Sequence, residues 1–183
     1  LDRYEDSDDP SKDHRELFFD IEVEVTDGFP EPSKANNQVT SIAFYSKHDD
    51  RYVVYVLGDG KNNQKDSVDI KFFKSEPQLL QAILKYWLEV KPTIITGWNT
   101  NGFDIPYLYN RISKVLGEEF ANALSPIQRV KYNPNKKMYR IAGVSSLDYM
   151  DLYRKFTYTQ QSSYRLDHIG KMEVNLGKVE YEG

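Results

Sequence analysis

The sequence predicts an α/β protein with a mixed sheet that opens as an antiparallel meander and is flanked by helices. Three observations carry this. Short apolar runs separated by turn-rich stretches fill the first third of the chain, and helix-period apolar stripes then alternate with short apolar strands. A length of 183 residues with 39% apolar and 14% aromatic content is also enough for one domain with a sizeable core.

Residues 1–16, LDRYEDSDDPSKDHRE, carry dense mixed charge and one proline, the composition of a solvated arm or a connection. The domain itself is expected over residues 17–183. Apolar runs at 17–25, 39–46 and 52–57, divided by TDGFPEPSKANN and SKHDDR, predict the three meander strands. GDGKNNQKDS is expected as a loop and VDIKFFK as one more short strand.

A first helix is expected to open at Ser75, where Gln78 completes a capping-box pattern and Pro77 suits the first turn. Its apolar stripe is Leu79, Ile83, Trp87 and Val90. Residues 93–96 (TIIT) predict a short buried strand and GWNTNGFD a loop. Pro106 marks the first turn of a second helix, which is lined by Leu108, Ile112 and Val115 and closed by Gly117. RVKYNPNKKMYR, with its central Asn133-Pro134-Asn135, predicts a protruding hairpin. VSSLDYMDLYRKF reads as a strand running into a helix, and SSYRLDHIGKM as a further helix start capped by serine.

The formal net charge of -4 argues against gripping nucleic acid by bulk charge, because non-specific binding comes mainly from neutralised phosphates. Any nucleic-acid contact must be local or metal-mediated. The absence of cysteine removes disulfides, thiolate zinc sites and thiol nucleophiles, and suits a reducing compartment. No apolar run is long enough to span a bilayer, so a soluble intracellular protein is expected. The start at Leu1 and the end at LGKVEYEG lead us to expect a piece of a longer protein.

The stretch FDIEVE places Asp20, Glu22 and Glu24 at every second position. Side chains alternate faces along an extended chain, so Phe19, Ile21, Val23 and Val25 share one side while Phe18 and the three acids share the other. Neighbours on one face lie roughly 6.5 to 7 Å apart at Cα, so Asp20 and Glu22 can converge on one point. Magnesium or manganese, which prefer oxygen ligands, would relieve their repulsion. Taken alone, the spacing better describes a half-buried strand with its polar face in water.

Asp104 follows an apolar strand at a loop-to-helix junction, where it could be held rigidly for chemistry or could cap the helix. FDIE followed by GWNTNGFDIPY resembles the first two exonuclease motifs of family B DNA polymerases, in their Asp-x-Glu and Asn-x-x-x-Phe-Asp forms. DGFPEP, LDYMDLYRKF and LGKVEYEG resemble the replicative polymerases of large tailed phages. The resemblance covers nearly all of the chain after residue 16.

The resemblance implies a ribonuclease-H-like 3'-5' proofreading domain acting on the single-stranded 3' end of a primer. Asp20, Glu22 and Asp104 would be catalytic metal-site carboxylates for two magnesium or manganese ions, and Asn99 and Phe103 would contact the terminal nucleotide. The implied partners are a single-stranded DNA 3' end or primer-template and the remaining polymerase domains. No membrane is expected, the fragment is expected to be monomeric, and the implied location is the cytoplasm of a phage-infected bacterium. An apolar side chain such as Phe103 can stack on any base without reading sequence, or can anchor its loop in the core.

Family members carry a further acid in a later Tyr-x-x-x-Asp motif. Here the pattern occurs at Tyr4 with Asp8, Tyr45 with Asp49 and Tyr55 with Asp59, all ahead of Asp104. YRLD, ending at Asp167, is one residue short, and His168 with Glu173 matches the histidine variant only in spacing. A C-terminally truncated fold with an incomplete metal site and weak or absent nuclease activity is therefore expected. The 129–140 hairpin interleaves Arg129, Lys131, Lys136, Lys137 and Arg140 with Tyr132 and Tyr139, so it could touch DNA or be a solvated basic turn. Asp148 and Asp151 are read as capping and surface acids. Two readings compete with the first: a non-catalytic nucleic-acid-binding module on the same fold, and another nuclease of the superfamily.

Overall fold

The computed structural model describes residues 13–26 and 28–177. Most of the expected arm at 1–16 and the last residues of the chain lie outside the described residues, although the first strand already begins at Glu16.

The order is β1 (Glu16–Val23), β2 (Val39–Ser46), β3 (Arg51–Leu57), β4 (Asn63–Lys65), β5 (Val68–Phe73), α1 (Glu76–Val90) and β6 (Ile94–Gly97), followed by α2 (Asp104–Val115) and α3 (Glu118–Asn122). Then come β7 (Val130–Asn133), β8 (Met138–Ile141), β9 (Ser145–Asp148), α4 (Tyr149–Phe156) and α5 (Leu166–Val174). Among the described residues, seven strands form one sheet in the order β4-β5-β3-β2-β1-β6-β9, and β7 pairs with β8 in a separate hairpin. The β1-β2-β3 meander is antiparallel, whereas β6 joins β1, and β9 joins β6, in parallel. This is the mixed α/β sheet expected from the sequence.

Burial along β1 alternates residue by residue. Leu17, Phe19 and Ile21 enter the core, where the Phe19 ring meets Trp87 of α1 edge-on at 6.0 Å. The four stripe residues of α1 are all buried, and Trp87 Nε1 donates to the carbonyl of Leu124 at 2.9 Å. No helix among the described residues is long and apolar enough to cross a membrane.

Several boundaries depart from expectation for physical reasons. β1 stops at Val23 rather than reaching residue 25, because its register against β2 shifts between Glu22 and Val23, and Val25 is 68% exposed. The expected loop at 58–67 contains β4, whose residues are all exposed and polar, so no apolar alternation announced it. The five-residue α3 follows Gly117, whose φ of 116° suits glycine. Ser75 is the N-cap residue of α1 but makes no side-chain cap bond, so the capping box does not form. α5 is likewise capped at Arg165, not at a serine; Ser163 Oγ instead accepts from the Arg165 N–H at 3.3 Å.

The residue after the failed cap has a larger role. Glu76 is 3% exposed, and its carboxylate accepts from the Val39 N–H at 2.8 Å and from Arg111 Nε at 2.8 Å and Nη2 at 2.6 Å. Arg111, on α2, also donates through Nη1 to the carbonyls of Ala35 and Asn36. This buried bidentate pair ties α1, α2 and the β1–β2 loop together.

Candidate active site

The site lies where β6 leaves the sheet. β6 pairs with β1 only from Glu16 to Phe18, and at Gly97 the chain turns away into the loop that leads to α2. An ideal Cβ on Gly97 would stand 2.6 Å from the Phe19 carbonyl oxygen and 2.5 Å from Thr100 Cγ2. The two backbones can approach this closely only at glycine. Replacing Gly97 with alanine is expected to cost about 1–3 kcal/mol, since the clash is partly with main chain, and urea unfolding of the variant beside the parent checks it.

Where the β6 ladder stops, a side chain continues it. Asp104, in the first turn of α2, accepts the Ile21 N–H on its Oδ1 at 3.0 Å. Ile21 is the residue between Asp20 and Glu22, so the Asp104 carboxylate is brought onto the strand between the two acids of FDIE. Asp20 and Glu22 stand on the exposed face of β1, opposite Ala43 and Ser41 of β2. Asp104 is therefore not the helix cap of the alternative reading: the N-cap position is Phe103, and the carboxylate is 3% exposed.

Burial pushes the Asp104 carboxyl up to about 7; the Ile21 N–H works against this shift, and the nearby negative charge of Asp20, with a smaller part from Asp148, adds to it. A cation beside Asp20 and Asp104 would reverse the direction. The donors are all carboxylate oxygens, a set that fits magnesium or manganese rather than softer metals. Among the described residues, however, no three His, Cys, Asp or Glu side chains gather closely enough to close a metal cage. The site offers the start of a cradle, with Glu22 on the rim.

The loop between β6 and α2 is held by an acid that the sequence marks only as a cap. Asp148, at the end of β9, is 3% exposed and does cap α4, accepting from the Met150 and Asp151 N–H groups. It also accepts from the Asn99 N–H at 3.1 Å and the Asn101 N–H at 2.8 Å. Asn99 sits at φ 63°, and its carbonyl accepts the N–H groups of Gly102 and Phe103. These bonds set the turn that presents Asp104. Asp151 is exposed, as expected.

Phe103 is partly buried against the core and stacks on Tyr107 at 5.5 Å. Its other neighbour is Phe29, from the β1–β2 loop, at 5.4 Å. Phe29 is 82% exposed, so two aromatic rings, one anchored and one in solvent, lie side by side next to Asp104. Sequence reasoning passed over Phe29, because in DGFPEP a single aromatic among turn residues carries no periodic signal.

Among the described residues, the alternative acids have partners elsewhere. The Tyr45 hydroxyl donates to Asp50, Asp49 accepts from Ser46, and Asp59 pairs with Lys74. The pair Tyr4 and Asp8 lies outside the described residues. Glu173 accepts the Tyr153 hydroxyl at 2.5 Å, and Asp167 pairs with Lys171. The basic hairpin forms as expected, with Tyr132 opposite Tyr139.

Comparison with known proteins identifies the family. A family model described as the exonuclease domain of DNA polymerase family B matches residues 2–169. The chain is 38% identical over 195 aligned residues to the DNA-directed DNA polymerase of Escherichia phage RB69, covering 90% of this chain and 22% of that protein. It is 34% identical to the DNA-directed DNA polymerase of Enterobacteria phage T4, covering 88% and 22%. To DNA polymerase 1 of Sulfurisphaera ohwakuensis it is 27% identical, covering 93% and 20%. The chain thus spans about a fifth of the length of these relatives.

Proposed function

The chain belongs to the exonuclease-domain family of family B DNA polymerases, and on that premise we propose that it removes 3'-terminal nucleotides from single-stranded primer ends. The observation that carries the reading is the Asp104 carboxylate seated on Ile21 between Asp20 and Glu22. In this proposal those three acids hold two divalent ions, magnesium or manganese. Paired cations supply phosphodiester hydrolysis with an activated water and a stabilised leaving oxygen.

The protein's own side chains do the rest. Asp104 and Asp20 hold negative charge together, Phe103 and the exposed Phe29 offer faces on which a frayed base can stack, and Asn99 stands in the turn beside them. Stacking tolerates any base, as the removal of any misincorporated nucleotide requires. The domain, expected over residues 17–183, already takes in Glu16 as the first residue of β1; in this proposal it works as a monomeric part of a longer polymerase chain and acts on DNA inside the phage-infected cell. Among the described residues no acid of a Tyr-x-x-x-Asp pattern joins Asp104, so turnover by this chain alone is expected to be weak or absent.

Manganese titration by calorimetry tests the site without requiring turnover. Binding is expected in the parent protein and is lost in Asp20→Ala and Asp104→Ala. Because burial raises the Asp104 carboxyl to about 7, binding near neutral pH is expected to release a fraction of a proton, and almost none at pH 9. Comparing buffers of different ionisation enthalpy reads this number. If a chain extended through the third motif binds no manganese, the non-catalytic module becomes the better account.

A further inference from the structure

Helix α2 carries Asp104 in its first turn and, further along, a row of polar side chains that face the β1–β2 loop. Tyr107 both accepts from the Asn37 N–H and donates to the Asn37 carbonyl, Arg111 holds the carbonyls of Ala35 and Asn36, and Lys114 donates to Asn36 Oδ1. Asn110 belongs to the same row and differs from the others, because its amide joins two separate arms of the molecule.

Asn110 Nδ2 donates to the Pro32 carbonyl at 2.9 Å, and Asn110 Oδ1 accepts the Tyr139 hydroxyl at 2.7 Å. Pro32 is three residues from Phe29 in the loop, and Tyr139 is on β8 of the basic hairpin. A carbonyl can only accept, so Pro32 fixes the amide's NH2 on its own side and leaves the oxygen for the tyrosine. Tyr139 is further held by Tyr109 at 4.7 Å and Tyr132 at 5.2 Å between ring centroids. Between the two arms opens a cavity of about 340 Å³ bordered by Pro32, Gly102, Asn110, Tyr132 and Lys137.

We propose that Asn110 is a positioning residue that sets the separation of the Phe29 loop and the β7–β8 hairpin, and through it the seating of a DNA 3' end on Phe29 and Phe103. The proposal rests on the reading of this site as one that binds single-stranded 3' ends. Asn110 acts at a distance: it touches the arms, and the arms touch the strand. Loops carry function only when a rigid element places them, and α2 is the element that also carries Asp104. One helix thereby fixes the acid, the stacking loop and the hairpin in a common frame.

The test uses this chain with magnesium and a single-stranded oligonucleotide that ends in 2-aminopurine behind a non-hydrolysable 3'-terminal linkage. Tyr139→Phe removes only the hydroxyl, and Asn110→Leu keeps the shape and removes both bonds. Tyr139→Phe is expected to weaken binding by up to about fivefold, the worth of one hydrogen bond, Asn110→Leu by at least as much, and both to reduce the quenching of the terminal base. In a Phe29→Ala background neither is expected to weaken binding further. A role in stability alone would lower the unfolding midpoint and leave affinity unchanged, or would add fully to Phe29→Ala; either result overturns the proposal. Weaker binding in Phe29→Ala with unchanged binding in both junction variants overturns it alone, whereas unchanged binding in Phe29→Ala as well overturns the underlying reading too.

Discussion

Asp104→Asn is expected to stabilise the metal-free protein at pH 8 by about 2–4 kcal/mol while abolishing manganese binding. Asparagine keeps an oxygen for the Ile21 N–H, so the geometry survives and only the charge is lost. The sign follows from the direction of the shift. The Asp104 carboxyl is raised from its ordinary value of 3.8 to about 7, so between those values the folded state binds more protons than the unfolded state. Stability from this group is therefore fully present below about pH 4 and is lost as pH rises through 7. A shift of about three units sets an upper limit of about 4 kcal/mol. Urea unfolding of parent and variant at pH 5 and pH 8, in chelator, reads the effect: the gap should be small at pH 5 and widest at pH 8. A variant less stable than the parent at pH 8 would sink the account of Asp104 as an acid whose charge is opposed chiefly by burial and then by Asp20.

Arg111→Ala is expected to cost about 3–5 kcal/mol, the loss typical when one partner of a buried ion pair is removed and the other charge is left behind. Here the residue left behind is Glu76, which is 3% exposed and keeps only the Val39 N–H. The same change frees the carbonyls of Ala35 and Asn36, and Ala35 holds a left-handed φ of 41° with its side chain fully buried. Replacing both partners together, Arg111→Met with Glu76→Gln, should recover much of the loss, because no unpaired charge remains. Denaturant midpoints of the single and double variants measure this, and a single variant within about 1 kcal/mol of the parent would show that water reaches the pair.

What could be read from the sequence was what is local and periodic. The twofold alternation of β1 placed Phe19 and Ile21 inward and Asp20 and Glu22 outward, and the four residues of the α1 stripe are all buried, with Leu80 and Leu84 beside them widening the face. Glu24 lies beyond the end of β1, so the alternation that grouped it with Asp20 and Glu22 no longer governs its direction. Three contacts were illegible because they join residues far apart in the chain. The Asp104 bond to Ile21 exists only because β6 ends at Gly97, and no pattern in TIIT tells where pairing stops. Glu76 sat beside an apparent capping box, and its partner Arg111 lies 35 residues away. Phe29 gained meaning only when the loop was laid against Phe103.

Asp148 couples the two strand ends beside the site in a way that a helix cap alone would not. A carboxylate has about four lone-pair positions, and Asp148 has four main-chain N–H groups on it, from Asn99, Asn101, Met150 and Asp151. Three of them fall on Oδ1 and only the Asn101 N–H on Oδ2, so the main chain holds Asp148 in place near enough to Asp104 for its charge to be felt there. The fold thus uses one buried acid to fix both the loop before α2 and the start of α4, and that acid's charge reaches Asp104 as well.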